Sequence, residues 1–175
     1  MGLNVETTYF VPRTETLEIW KVTIKNTSNS KRDLSVFGQI EWLLGSNDEI
    51  NFHNIAVMWN RSSYDPKFNA ILAQKTANYQ EFKIKPNPCW SFFATSEKVS
   101  AYDCLKDTLY GPYNTVENPR NILEGKLRNS YCNGDEAAAA LQSEISLNPG
   151  EEKTIIYLLG QTEGKDLISD YINRY

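Results

Sequence analysis

The sequence predicts an all-β fold, an antiparallel β-sandwich closed by a short C-terminal helix. Three observations predict it. Leu17–Lys25 alternates apolar and polar residues with period two over a length that only a strand explains. Segments of the same kind recur along the chain, bounded by turns rich in Asn, Ser, Pro and Gly. An amphipathic pattern of helical period is confined to the residues after Gly164.

Taken in order, residues 4–11 (NVETTYFV) are rich in Val, Thr and aromatics and stop at Pro12, as a strand does. In Leu17–Lys25 the alternation puts Glu18, Trp20, Val22 and Ile24 on one face; Leu17 and Ile19 begin the other, which turns polar at Lys21, Thr23 and Lys25. Asn26–Lys31 is a polar turn, and Leu34, Val36, Ile40 and Trp42 alternate within Asp33–Leu44, with Gly38 marking a bulge. Strand, polar turn and strand read together as an antiparallel hairpin. Ile55–Trp59 is a short strand candidate, Ser62–Pro66 carries turn chemistry, and Ala70–Lys75 and Glu81–Lys85 are further strands. Pro86-Asn87-Pro88 breaks the chain before the apolar strand that opens at Trp90. Ala137–Leu147 contains alanines that favour helix taken alone, but Leu141, Ser143, Ile145 and Leu147 keep period two. It reads as a strand, joined through a hairpin-type turn at 148–152 to a buried strand, Lys153–Gly160. Asp166 is placed to cap a last helix whose Leu167, Ile168, Tyr171 and Ile172 share a face. Residues 1–160 are thus expected to form the sandwich, and the helix within 161–175, too short to be stable alone, either packs back on it or leads into a further domain.

The composition narrows the function. One domain of 175 residues buries roughly 70% of its unfolded surface, and 12% aromatics belong to a packed globule. With 18 basic and 22 acidic residues and no basic stripe, neither nucleic acid nor an anionic membrane is an expected partner. The N-terminus lacks the basic and apolar regions of a signal peptide, and Asn-Thr-Ser at 26–28 and Asn-Arg-Ser at 60–62 read as chance glycosylation patterns. Cys89, Cys104 and Cys132 are too few for a disulfide framework, so a cytoplasmic location is expected. Their spacing offers no paired zinc ligands, and the single histidine, His53, in an Asn-flanked loop, leaves a nucleophilic triad without a base. No metal and no cofactor are expected.

The stretch from Trp90 to Arg120 stands out because aromatics interleave with hydrogen-bonding groups in a turn-rich loop. Tyr102, Asp103, Tyr113, Asn118 and Arg120 are the candidate substrate-binding residues, with Trp90 and Tyr110 nearby, and Gly111, Pro112 and Pro119 shaping the backbone. Rings and amides of this kind hold sugars; the same mixture also arises where a loop packs on its own sheet. Asp103 and Asp107 are the carboxylates nearest the rings, but a general acid needs a low-polarity pocket that the sequence alone does not supply. No residue is assigned a catalytic role.

The run TTYFVPRTETLEIWKVTIKNTSNSKRDLSVFGQIEWLLG resembles the amino-terminal sandwich of the glycoside-hydrolase family 94 phosphorylases, the cellobiose and cellodextrin phosphorylases and relatives once classed as glycosyltransferase family 36. FFATSEKVSAYDCLKDTLYGPYNTVENPR, EGKLRNS and LNPGEEKTIIYLLGQ resemble the same domain in the same order. The resemblance implies a β-supersandwich, a helical linker and an (α/α)6 barrel that carries catalysis. It implies phosphorolysis of a β-linked gluco-oligosaccharide with inversion, inorganic phosphate acting as nucleophile and α-glucose 1-phosphate leaving. One carboxylic acid then suffices where an inverting hydrolase needs two. Relative to that pattern the chain begins inside the sandwich and ends inside the linker helix. The resemblance implies a missing catalytic barrel or partner subunit and a homo-oligomer, with the sandwich shaping the substrate entrance and the dimer contact through the loop around Tyr102–Arg120; open sheet edges are expected, with the chain inactive alone. A free-standing carbohydrate-binding module built on Tyr102, Tyr113 and Trp90, and an immunoglobulin-like structural domain, are the rival readings.

Overall fold

The computed structural model describes residues 2–45, 57–80 and 83–175; His53, Ile55, Ala56, Glu81 and Phe82 lie outside them. The strands are β1 (Leu3–Phe10), β2 (Leu17–Asn26), β3 (Arg32–Glu41), β4 (Asn60–Asp65), β5 (Ala70–Lys75), β6 (Ala77–Gln80), β7 (Lys83–Pro86), β8 (Trp90–Thr95), β9 (Ala101–Leu105), β10 (Cys132–Asn133), β11 (Ala137–Leu147) and β12 (Glu152–Thr162). The helices are α1 (Lys106–Tyr110), α2 (Arg120–Glu124) and α3 (Asp166–Arg174). One sheet runs β1-β2-β12-β8-β5-β4-β10, a second β3-β11-β9, and β6 and β7 form a separate ribbon. The pairings are antiparallel throughout.

The faces follow the sequence alternation. Trp20, Val22 and Ile24 join Ile71, Phe93, Ile155 and Tyr157 of the large sheet in packing on Leu141, Ile145 and Leu147 of the small one. Glu18 shares this face because its carboxylate accepts a hydrogen bond from Trp20 Nε1 at 2.6 Å. Leu17 and Ile19 point the other way, into a second cluster with Phe68, Leu72, Phe92 and Leu158. That cluster is roofed by α3, whose Ile168 is buried and whose Tyr171 stacks on Phe92 at 6.1 Å. The helix therefore packs back on the sandwich, and Arg174 and Tyr175 both reach Glu15 beside it. Lys165, not Asp166, holds the N-cap position; Asp166 is the first helical residue, and Leu167 faces solvent.

The expected β2–β3 hairpin does not form. β2 belongs to the large sheet and β3 to the small one, so 27–31 is an arch that crosses between layers. The turn at 148–151 is a second arch, from β11 to β12, and not a hairpin. The two arches are fastened together by Asn26, which is fully buried. Its Nδ2 donates to the carbonyls of Ser30 (2.8 Å) and Leu147 (2.9 Å), while its Oδ1 accepts from the Ser28 amide and hydroxyl. Its backbone pairs with Glu151 and Gly150 on both sides. A turn that looks merely polar in sequence is thus polar because it satisfies buried backbone groups at a layer crossing.

Gly38 is no bulge either, since the β3–β11 register runs unbroken from Arg32↔Leu147 to Glu41↔Ala138. A methyl group at that position would overlap the Tyr157 ring, 2.7 Å from Cζ, and that ring is stacked on Phe93. Close approach across the core explains the glycine. Ser62–Asp65 is strand, paired along its length by β5 and at Ser62 also by β10, and the turn falls later, where Phe68 N donates to Asp65 O. Val57–Trp59 forms a single 3-10 turn in place of the expected strand end. The Glu81–Lys85 expectation is met from Lys83 onward.

Two outcomes follow from this packing. Asn26→Ala orphans the Leu147 carbonyl and loosens both arches, a loss of about 3 kcal/mol that lowers the melting temperature by roughly 6–12 °C in calorimetry. Gly38→Ala, harmless by backbone conformation, costs about 2 kcal/mol through overlap with Tyr157, and Tyr157→Leu in the same chain recovers much of it in denaturant titrations.

Candidate functional site

The segment between β9 and β11 builds a platform on the outer face of the small sheet. Ala138 and Ala140 project outward there, and their small side chains let Leu109 of α1 and Leu127 close over them. The platform is anchored by polar groups. The Asp103 carboxylate accepts from the backbone amides of Arg128 (3.2 and 3.3 Å) and Ser130 (3.0 Å). Asn129 pairs with Tyr102 through both its amide and its side chain, and Ser130 Oγ receives Cys104 N–H. Gln142 accepts from Leu127 N–H, and Asn121 at the start of α2 donates to Gln39 of β3. Arg120 ties α2 back to α1 by donating to the Thr108 carbonyl at 3.0 Å, its stem lying against Gly111.

These contacts divide the sequence-predicted residues. Asp103 is fully buried, with its carboxylate engaged by loop amides, so it fixes the loop and has no surface to offer a ligand. Asp107 is exposed on α1, which separates the carboxylates that sequence placed side by side. Tyr102 lies partly buried with its ring stacked on Tyr64 at 4.7 Å, where burial and the neighbouring Tyr102 raise the Tyr64 pKa. Trp90, on the far face of the large sheet, is capped by the Lys165 ammonium 4.1 Å from its ring centre. Tyr113, Asn118 and Arg120 share the loop and the start of α2. Tyr113 is fully exposed and holds φ at +68°, a conformation that costs a bulky residue free energy. Val116, Ile122, Leu123 and Tyr131 of the same 106–131 segment are also exposed.

A recess that sequence reasoning missed lies at the other end of the platform. Three adjoining clefts, of about 200, 270 and 500 Å³, converge on Leu43 and Leu44 as the chain leaves β3. Trp42, Gln74, Lys75 and Gln161 contribute to their walls. Lys106 bridges Glu41 (3.2 Å) and Glu136 (3.3 Å), which holds its ammonium pKa up; Tyr110 beside Glu41 is likewise raised, by burial first and the carboxylate second. The lysine pairs with both carboxylates. Cys104 is buried with its thiol pushed up to about 12, and all three cysteines are free. Among the described residues no cluster of three or more metal-ligating side chains occurs, and no helix is long and apolar enough to cross a membrane.

The chain resembles proteins of known activity along its length. It is 29% identical over 166 residues to the N,N'-diacetylchitobiose phosphorylase of Vibrio proteolyticus, covering 93% of this chain and 20% of that protein. It is 27% identical to the solabiose phosphorylase of Paenibacillus borealis, covering 94% of this chain and 21% of the relative. It is also 25% identical to the cyclic beta-(1,2)-glucan synthase NdvB of Rhizobium meliloti, over 95% of this chain but 6% of that protein. The chain therefore spans about a fifth of the phosphorylases it matches. A polysaccharide lyase shares the fold, with a TM-score of 0.53 at 8% identity, covering 98% of this chain and 22% of that one. The model of the glycosyl hydrolase 94 supersandwich domain matches residues 1–175, and the chain belongs to that family.

Proposed function

We propose that this chain is the non-catalytic sandwich of an inverting β-glucoside phosphorylase, shaping the substrate entrance of a catalytic barrel. The parent reaction transfers a glycosyl group from a β-linked gluco-oligosaccharide to inorganic phosphate, giving α-glucose 1-phosphate, in the cytoplasm. The observation that carries the reading is Tyr113, an aromatic residue kept in a costly conformation and fully exposed on a firmly anchored loop. A ring held in that way serves a surface beyond this chain. Asn118 and Arg120, further along the same segment, supply hydrogen-bonding groups suited to sugar hydroxyls, and the exposed apolar residues of the segment suit a contact with the barrel. The engaged carboxylates argue in the same direction: Asp103 binds loop amides, while Glu41 and Glu136 share Lys106. Relatives that phosphorolyse disaccharides extend well beyond the matched fifth, where the acid and the phosphate site belong in this reading.

The free-standing carbohydrate-binding module has weaker support. Of the rings it would use, Tyr102 stacks on Tyr64 and Trp90 is covered by Lys165, leaving Tyr113 alone. A single ring gives a stacking contribution of about 1 kcal/mol, too small to hold a glucan unaided.

Mixed with cellobiose or cellodextrins and phosphate, the purified chain should release no glucose 1-phosphate; measurable release overturns the assignment. Tyr113→Gly should raise stability by about 1 kcal/mol, or roughly 2–4 °C, because the strain it relieves serves no contact within the chain. A loss of stability would show that Tyr113 packs for the sandwich's own sake.

A further inference from the structure

Asn133 is the only asparagine of the chain that is followed by glycine. The turn from β10 into β11 requires that glycine on two grounds. Gly134 holds φ at +83°, and a methyl group there would lie 3.3 Å from the Met58 carbonyl oxygen. A bare backbone fits this turn, and a bare backbone also leaves the Gly134 nitrogen unshielded beside the Asn133 side chain. Asn133 itself is exposed, so water reaches its amide. The residue that lets the chain turn is therefore the one that permits a reaction within the chain.

The fold opposes that reaction. Gly134 N donates to the Asn60 carbonyl at 2.8 Å, an oxygen that also accepts from Arg61 Nη1 at 2.7 Å. Buried Asn60 reaches across with Nδ2 to the Asp135 carbonyl at 3.1 Å, which also accepts from Cys132 Sγ at 3.3 Å. The nitrogen that would attack Asn133 is thus committed to β4. The clamp is short, since β10 pairs with β4 through Cys132↔Ser62 and Asn133↔Arg61, and so small a unit opens at less cost than the whole sandwich. We propose that Asn133 is a site of spontaneous deamidation whose rate is set by opening of the β4–β10 pair. On opening, the Gly134 nitrogen gives its proton to hydroxide and bonds to Asn133 Cγ. The Cγ–Nδ2 bond breaks, ammonia leaves and a five-membered succinimide closes. Water then opens the ring at either carbonyl, so the net reaction consumes water, releases ammonia and involves no oxidation or reduction. Hydrolysis at Cγ restores the chain path with aspartate at position 133, opposite Arg61 in the register. Hydrolysis at the main-chain carbonyl routes the chain through the side chain and lengthens it by one carbon. In that isoaspartate form Gly134 no longer meets the Asn60 carbonyl, and β10 detaches.

The test follows the purified chain in mildly alkaline buffer by peptide mapping, with electron-transfer fragmentation to separate aspartate from isoaspartate. Conversion at Asn133 should precede conversion at Asn29 and Asn129, each of which is followed by serine. In the folded chain it should run about ten- to a hundredfold slower than in the same chain unfolded in urea. Asn60→Ala removes the bond to the Asp135 carbonyl. It should accelerate conversion about fivefold in the folded chain and leave the rate in urea unchanged. Circular dichroism shows whether the variant folds, and the comparison of folded with unfolded unsubstituted chain stands without it. Equal rates in the folded and unfolded chain would overturn the proposal. So would conversion of Asn29 or Asn129 ahead of Asn133, or a folded Asn60→Ala variant that converts no faster.

Discussion

One amide side chain carries a burden out of proportion to its size. Asn26 sits where β2 leaves the large sheet, and it bonds the carbonyl at the end of β11 in the small one. Two layers packed through apolar contacts alone could slide, because burial is non-directional. The hydrogen bonds of Asn26 remove that freedom at one end, fixing where β3 and β11 begin relative to β2 and β12. The positions of Gly38 under Tyr157 and of Ala138 and Ala140 under the platform follow from that starting point. A shift of one residue would turn each side chain to the wrong face.

The small sheet carries core on both faces, and β11 shows it most plainly. Its odd-numbered residues from Ala137 to Leu147 pack into the sandwich, while Ala138 and Ala140 accept α1 and the 125–127 segment. The large sheet does the same with α3. The molecule is therefore a sandwich clad on both outer faces, and the cladding on the small sheet presents Tyr113. The loop that carries Tyr113 is held at its ends by buried polar groups, Asp103 and Asn121 among them, which gives it shape without a core of its own.

Much of the fold was legible because period-two alternation reports which face of a strand is wet. β2 announced both of its clusters in nine residues, and β11 overrode the helical leaning of its alanines once Leu141, Ile145 and Leu147 were counted. Partner choice was not legible. A polar turn between strands looks the same whether the chain folds back within a sheet or crosses to another, and Asn26 gives no local sign of its long-range bonds. The site divided along the same line. Tyr113 and Arg120 stand out in the sequence because aromatic and guanidinium groups in a loop are conspicuous, while the burial of Asp103 is not visible there because its amide partners lie some 25 residues onward. The recess at Leu43 and Leu44 is assembled from distant segments, so no contiguous pattern could have marked it.

The crossing arches also set a timetable for synthesis. Arg32 pairs with Leu147 and Lys25 with Glu152, so β2 and β3 must wait for more than a hundred residues before their partners exist. At about 5–20 residues per second that is on the order of 5–20 s during which the described pairings open to a nascent chain are the β1–β2 hairpin and the local pairs β4–β5, β5–β8 and β6–β7. Throughout that interval the edge of β2 destined for β12 is open, and Trp20, Val22 and Ile24 have nothing to cover them. Closure comes as a single late event, when β11 and β12 emerge together and thread the finished edges. The Asn26 clasp, which locks the folded state, is therefore among the last contacts the chain can make.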